Sequence, residues 1–155
     1  MINQTCCVTG HRDIPAHLVE HVKQALCQEV RAAVADGYRY FLSGFAEGVD
    51  LFFAEIVGKM RMAHPKIRLE AVIPYRARFN RIMKNPDARV LLQQCTDVYV
   101  LREQYTPDVF MNRNQNMVNR SGRVIAVYDG RERDGTLATM RMARAAGRDL
   151  HVIRI

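Results

Sequence analysis

Short apolar runs alternate along this chain with stretches whose apolar residues recur every three or four positions. Residues 4–8 form a run of the first kind and read as a strand, ending in Thr9-Gly10-His11-Arg12. Leu18, Val22, Leu26, Val30 and Ala33 then fall at helical spacing, with Pro15 just before them and Gly37 just after. The alternation repeats over residues 38–42, a second strand. It leads into a helix whose Phe52, Phe53, Ile56, Val57 and Met60 share one apolar face and which Pro65 ends. Residues 67–73 make a third strand closed by Pro74-Tyr75, and the basic segment 76–94 reads as helix broken near Pro86. Residues 97–101 are a fourth strand. The following segment 106–121, carrying Asn112, Asn114, Asn116 and Asn119, reads as a polar loop with some helix. Residues 123–128 form a fifth strand ending at Asp129-Gly130, 136–146 a helix closed by Gly147, and 150–155 a sixth strand.

Strands interleaved with helices in this way predict an α/β fold: a single doubly wound, mainly parallel sheet of Rossmann-like form with helices on both faces. No repeat, low-complexity tract or linker divides the chain, so residues 1–155 are expected to form one domain.

In an open parallel sheet, ligands bind beyond the carboxyl ends of the strands, where the strand order reverses. The residues after each strand therefore matter most. They are Gly10, His11 and Arg12; Ser43 and Gly44; Pro74 and Tyr75; and Asp129, Gly130, Gly135 and Thr136. Glycine there lets backbone approach a ligand, and the helix starts that follow offer free N–H groups to anions. Taken singly, Ser43 and Gly44 read as an ordinary helix start ahead of a ligand contact.

Composition adds that 48% of the residues are apolar, enough for one substantial core, and that the net charge is +7, mostly from arginine. Arginine suits phosphate recognition and makes an anionic ligand or nucleic acid plausible. A general preference for arginine over lysine is the alternative reading. Charges interrupt every apolar run, so no membrane partner is expected and the chain reads as cytoplasmic. Cys6, Cys7, Cys27 and Cys95 have neither metal-site nor disulfide-scaffold spacing, and the first two read as buried structural thiols.

Common nucleotide motifs are mostly absent. No Gly-x-Gly-x-x-Gly follows the first strand. Gly130-Arg-Glu-Arg-Asp-Gly135-Thr136 has the glycine spacing of an NTPase phosphate loop, but Thr136 stands where its lysine would be. Glu47 and Asp50 would repel phosphate unless arginines intervene, so Asp50 is assigned to ribose hydroxyls or, alternatively, to the helix dipole. His17-Leu-Val-Glu-His21 matches an inverted zinc-protease pattern, yet it lies on an amphipathic helix with no third ligand in view; surface histidines and no metal are expected.

These motifs taken together resemble the SLOG superfamily, which includes DprA-type DNA-processing proteins and LOG-type hydrolases. The likeness is greatest to its small single-domain YpsA-like branch. The pieces that carry it are Thr9-Gly10-His11-Arg12, Ser43-Gly44-Phe-Ala-Glu-Gly48-Val-Asp50, Pro74-Tyr75, Arg113-Asn114 with Met117-Val118 and Ser121, and Asp129-Gly130 to Gly135-Thr136. The resemblance implies a pocket for a nucleotide or nucleotide derivative, such as an ADP-ribose-like ligand, used in sensing or signalling. No cofactor is required beyond a bound nucleotide, and a homo-oligomer is expected. Two departures stand out. Asp134-Gly135-Thr136 replaces the family's Gly-Gly-Thr, and Thr139 occupies the position of the hydrolase branch's glutamate, which disfavours that branch's phosphoribohydrolase mechanism.

The expected ligand contacts are Gly10, Ser43, Gly44, Gly135 and Thr136 to phosphate, Arg12 and Arg113 as neutralising cations, Asp50 to ribose, and Tyr75 stacked on a base. Gly48, Asn114, Asp129 and Gly130 complete the set. Two other functions compete. The DprA-like string and Arg76, Arg78, Arg81 and Lys84 suit a single-stranded DNA module, whose binding would fall steeply with salt. A hydrolase of a nucleotide glycosidic bond would use Glu47 as its acid. No residue is assigned as catalytic.

Overall fold

The computed structural model describes all residues, Met1–Ile155. Six strands, β1 (Thr5–Gly10), β2 (Tyr40–Ser43), β3 (Arg68–Tyr75), β4 (Asp97–Arg102), β5 (Arg123–Tyr128) and β6 (Asp149–Arg154), form one sheet. Its order is β4-β3-β2-β1-β5-β6, and every pair is parallel. The α/β reading is therefore correct, and the sheet is parallel throughout.

The helices are α1 (Val19–Ala35), α2 (Val49–Ala63), α3 (Arg76–Lys84), α4 (Pro86–Gln93), α5 (Val109–Arg120) and α6 (Gly135–Ala145). Successive strand side chains point to opposite faces, and the adjacent cysteines display this directly. Cys6 joins the larger core with Val22, Leu26, Phe53 and Val57 of α1 and α2, whereas Cys7 joins the smaller core with Met117, Val118 and Ala143 of α5 and α6. Both thiols are fully buried, and desolvation raises the Cys7 pKa to about 12. They are packing residues, as their strand position indicates.

Chain direction explains where a crevice opens. From β1 to β4 the sheet grows one way, and the chain then returns through α5 to place β5 on the other side of β1. The strand order reverses between β1 and β5, so the turns after these two strands diverge and leave a gap at the carboxyl edge.

Most elements lie where the apolar pattern puts them, and the basic segment divides where Pro86 requires. Asn85 caps α4 by accepting hydrogen bonds from the N–H groups of Asp87 and Ala88, both at 3.1 Å, with Pro86 in the first turn. The segment read as a polar loop with some helix is helical over most of its length, as α5. Its inward face is Val109, Arg113, Met117 and Val118, a helical stripe interrupted by a buried arginine. His17 and His21 are exposed on the surface. No helix is long and apolar enough to cross a membrane.

Candidate functional site

A crevice of about 460 Å³ occupies the gap between β1 and β5. Its floor is Thr9 and Gly10 at the end of β1 and His11 and Arg12 just after it. Phe110, Arg113, Asn114 and Met117 of α5 form one wall, Asp134, Gly135 and Thr136 at the start of α6 form the other, and Ala46 and Asp50 close the back. Among the residues singled out from sequence, Gly10, Arg12, Asp50, Arg113, Asn114, Gly135 and Thr136 are thus brought together.

Ser43, Gly44 and Gly48 stand behind the wall. The Ser43 hydroxyl donates to the Asp50 carbonyl at 2.8 Å and accepts from the Phe45 N–H at 3.2 Å, fully buried. A Cβ on Gly44 would lie 2.6 Å from Arg113 Nη1 and 2.9 Å from Asp50 Oδ2, so this glycine makes room for the arginine. Gly48 has φ +78°, and a Cβ there would lie 2.6 Å from the His11 carbonyl oxygen. Just beyond it, the Val49 N–H at the start of α2 donates to that same carbonyl at 3.3 Å. The Ser43–Asp50 stretch therefore acts mainly as a clasp that fixes the β1 turn and presents Ala46 and Asp50 to the crevice.

Tyr75 also lies outside the lining. It is buried, with its ring edge-on to Tyr105 and Phe110 at centroid distances of 5.4 and 6.0 Å, and Phe110 is the aromatic ring that reaches the crevice. Asp129 and Gly130 form the turn after β5. Asp129 accepts from Arg131 and is held near pKa 2 by that hydrogen bond. Glu47 is exposed and outside the crevice. The Thr139 hydroxyl donates to the Gly135 carbonyl at 2.7 Å and serves the helix backbone.

The electrostatics are uneven across the crevice. Arg113 is 5% exposed, with Nε donating to Asn114 Oδ1 at 2.8 Å and Nη1 donating to the Gly44 carbonyl at 2.6 Å. Its Nη2 makes no hydrogen bond within the protein. Burial lowers the Arg113 pKa to about 10, opposed by the charge of Asp50. Asp50 is shifted upward by burial, against the pull of Arg113, the Ala46 N–H and Arg12. Arg12 forms no ion pair and lies over Phe110, 5.5 Å from the ring centroid, while Arg113 lies 5.9 Å from the same centroid. Arg131 is different: Asp129 at 2.6 Å and Asp13 at 3.2 Å neutralise it. Two guanidinium groups with spare donors thus face the α5 side.

The crevice is also lined by His11, singled out by its place after β1 without a ligand contact, and by Phe110 and Asp134, for which no contact was expected. His11 is 2% exposed; its Nε2 accepts from the Asp129 N–H at 3.1 Å with Asp129 Oδ1 also 3.1 Å away, and its Nδ1 lies 2.5 Å from Asp134 Oδ2. Asp134 caps α6, its Oδ1 accepting from the Leu137 N–H at 2.9 Å.

Comparison with known proteins agrees with this architecture. The model of the YspA SLOG family matches residues 6–152. A UPF0398 protein of Halalkalibacterium halodurans is 25% identical over 122 residues, covering 72% of this chain and 61% of that protein. A UPF0398 protein of Bacillus thuringiensis is 26% identical over 122 residues, covering 72% and 62%. The chain therefore spans less than two thirds of the length of these curated relatives. Among solved structures, DNA processing protein A from Helicobacter pylori, described for its single-stranded DNA binding mode, superposes with a TM-score of 0.69 at 21% identity, covering 97% of this chain and 65% of that one. The protein TM1055 superposes with a TM-score of 0.60 at 14% identity, covering 95% and 72%. At such identities the two structures share the fold.

Proposed function

The chain belongs to the YspA SLOG family, and from that premise we propose that it binds a nucleotide or a nucleotide derivative in the crevice between β1 and β5. The observation that carries this reading is the pair of cations Arg12 and Arg113. Both line a nucleotide-sized crevice at the strand-order reversal, and neither has a carboxylate within ion-pair distance. A phosphate takes the donors that the protein leaves free there. Phe110, whose ring centroid lies 5.5 Å from the Arg12 guanidinium and 5.9 Å from that of Arg113, is the aromatic side chain offered to a base, in place of Tyr75. Sensing or signalling is the role that suits a binding site with no assigned catalytic group.

The test is thermal unfolding with AMP, ADP and ADP-ribose at low and moderate salt. A ligand at about 100 times its dissociation constant adds roughly 2.7 kcal/mol of stability. No shift with any of the three overturns the reading.

A second reading, single-stranded DNA binding, is supported by the basic helix α3, which starts directly after β3 at the same sheet edge. Arg78 there is close enough to Arg12 and Arg81 for their repulsion, added to its burial, to lower its pKa. The solved relative described as binding single-stranded DNA points the same way. Oligonucleotide affinity that falls steeply with salt, without a mononucleotide effect, would favour it.

A further inference from the structure

We propose that the free edge of β4 is a self-association surface, at which a second copy of this chain adds its own β4 antiparallel about a two-fold axis at Tyr99.

β4 ends the sheet, so every second residue along it turns its N–H and C=O outward with no strand to receive them. The backbone groups of Asp97–Arg102 find partners in β3 and in no other part of the chain. Folded proteins ordinarily blunt such an edge with lysine, proline, a bulge or a covering segment. Here the strand reads Asp97-Val98-Tyr99-Val100-Leu101-Arg102, four apolar residues of mostly high β-propensity with one charge at either end and neither lysine nor proline. Val98 and Tyr99, on opposite faces, are 42% and 43% exposed. The other end of the sheet differs. In β6, residues 150–153 are half-buried, and His151 among them is held by Glu29 at 2.9 Å and Asp149 at 3.1 Å, which places a polar cluster at that edge.

Helix coverage explains the exposure. On the side of the smaller core, α5 lies against β3 and β1 and α6 against β1, β5 and β6, which leaves Tyr99 in the open. On the other side Val100 packs against the larger core, while Val98 does not reach it.

A second copy completes this edge with residues already present in the chain. Two identical strands related by a two-fold axis in one continuous sheet run antiparallel, and facing residues lie on the same side of the sheet, so the axis passes at a residue and not between two. Two registers overlap most of the strand. With the axis at Val100, Asp97 stands opposite Glu103 of the second copy at both ends, and like charges directly opposite destabilise a pair. With the axis at Tyr99, the two Tyr99 rings face each other, Val98 faces Val100, Asp97 faces Leu101 and Arg102 faces Thr96. No like charges are then opposed, and aromatic and β-branched pairs occupy the two faces of the junction. β1 and its crevice lie beyond β3 and β2 from this edge, so the proposal does not rest on the nucleotide reading.

The test is sedimentation velocity of the full chain across a wide range of micromolar concentration, on the parent and on Tyr99→Lys, with oxidative cross-linking of Tyr99→Cys and Val98→Cys. The parent is expected at twice the chain mass, dissociating on dilution. Tyr99→Lys sets two ammonium groups against each other on the axis and is expected at the chain mass, with an unchanged circular dichroism spectrum. Facing Cβ atoms lie roughly 5 Å apart, so Tyr99→Cys treated with glutathione disulfide should give a covalent dimer. Val98→Cys faces Val100 and should cross-link no more than the parent, whose half-buried Cys27 and Cys95 set the background. A parent at the chain mass throughout overturns the proposal; an edge reserved for an extended segment of another protein would give that result. A dimer that Tyr99→Lys leaves intact, a mass above the dimer, or cross-linking of Val98→Cys as complete as that of Tyr99→Cys overturns it as well.

Discussion

Asp50 is a buried carboxylate whose pKa is raised chiefly by desolvation, which sets a sign for the pH dependence of stability. Between its ordinary unfolded pKa and the raised folded value, the native state holds more protons than the unfolded one. Stability from this group therefore falls as pH rises through that window. The Tm of the parent relative to Asp50→Asn should accordingly decline with rising pH there, in parallel melting series; an unchanging difference would contradict the burial argument. Gly44 makes a second prediction. Its Cβ in Gly44→Ala would lie 2.6 Å from Arg113 Nη1, so the guanidinium must move, and nucleotide affinity should fall by about tenfold although Gly44 does not line the crevice. At this scale the sequence was legible where turn position carries meaning, as for Arg12, Gly135 and Thr136, and at the helix start for Asp50, whereas Arg113 was marked by the family motif alone. His11, Phe110 and Asp134 were given no ligand contact, because their roles come from long-range pairing. His11 meets the turn after β5, more than a hundred residues away, and Phe110 lies in a segment whose polarity concealed its helix.

The elements differ in how plainly their ends are written. Pro86 and Asn85 mark the start of α4 in sequence, and the structure adds the two N–H donors that Asn85 accepts. Loss of this cap in Asn85→Ala should cost about 1 kcal/mol and lower Tm by about 2–4 °C, with the crevice unaffected. The junction of β1 with α2 is less forgiving. Gly48→Ala places a side chain at φ +78° against the carbonyls of His11 and Arg12, at 2.6 and 2.7 Å. It should destabilise by more than about 1 kcal/mol and displace the crevice floor, so a melting curve and a nucleotide titration should both change. The helix α5 was obscured because its inward stripe carries Arg113 among Val109, Met117 and Val118. A buried arginine breaks the apolar period that reveals a helix, and its burial is explained by the Gly44 and Val72 carbonyls and the Asn114 side chain that receive its donors.

Across the whole molecule, alternating strands and helices sufficed to predict a parallel sheet, while the strand order that opens the crevice required the structure. The net charge of +7 gathers no tail, and several arginines are paired with carboxylates: Arg120 with Glu70, Arg123 with Asp36 and Asp149, Arg131 with Asp129. Arg12 and Arg113 are the cations left to face the crevice, so binding there should depend on salt less steeply than a run of phosphate contacts along DNA. The most direct measurement is calorimetric titration of AMP and ADP-ribose into the parent chain and Arg12→Met, at low and moderate salt. The account predicts saturable one-site binding by the parent at both salts, weakened about tenfold in the variant. Absence of binding by the parent, or equal affinity in the two proteins, would contradict it.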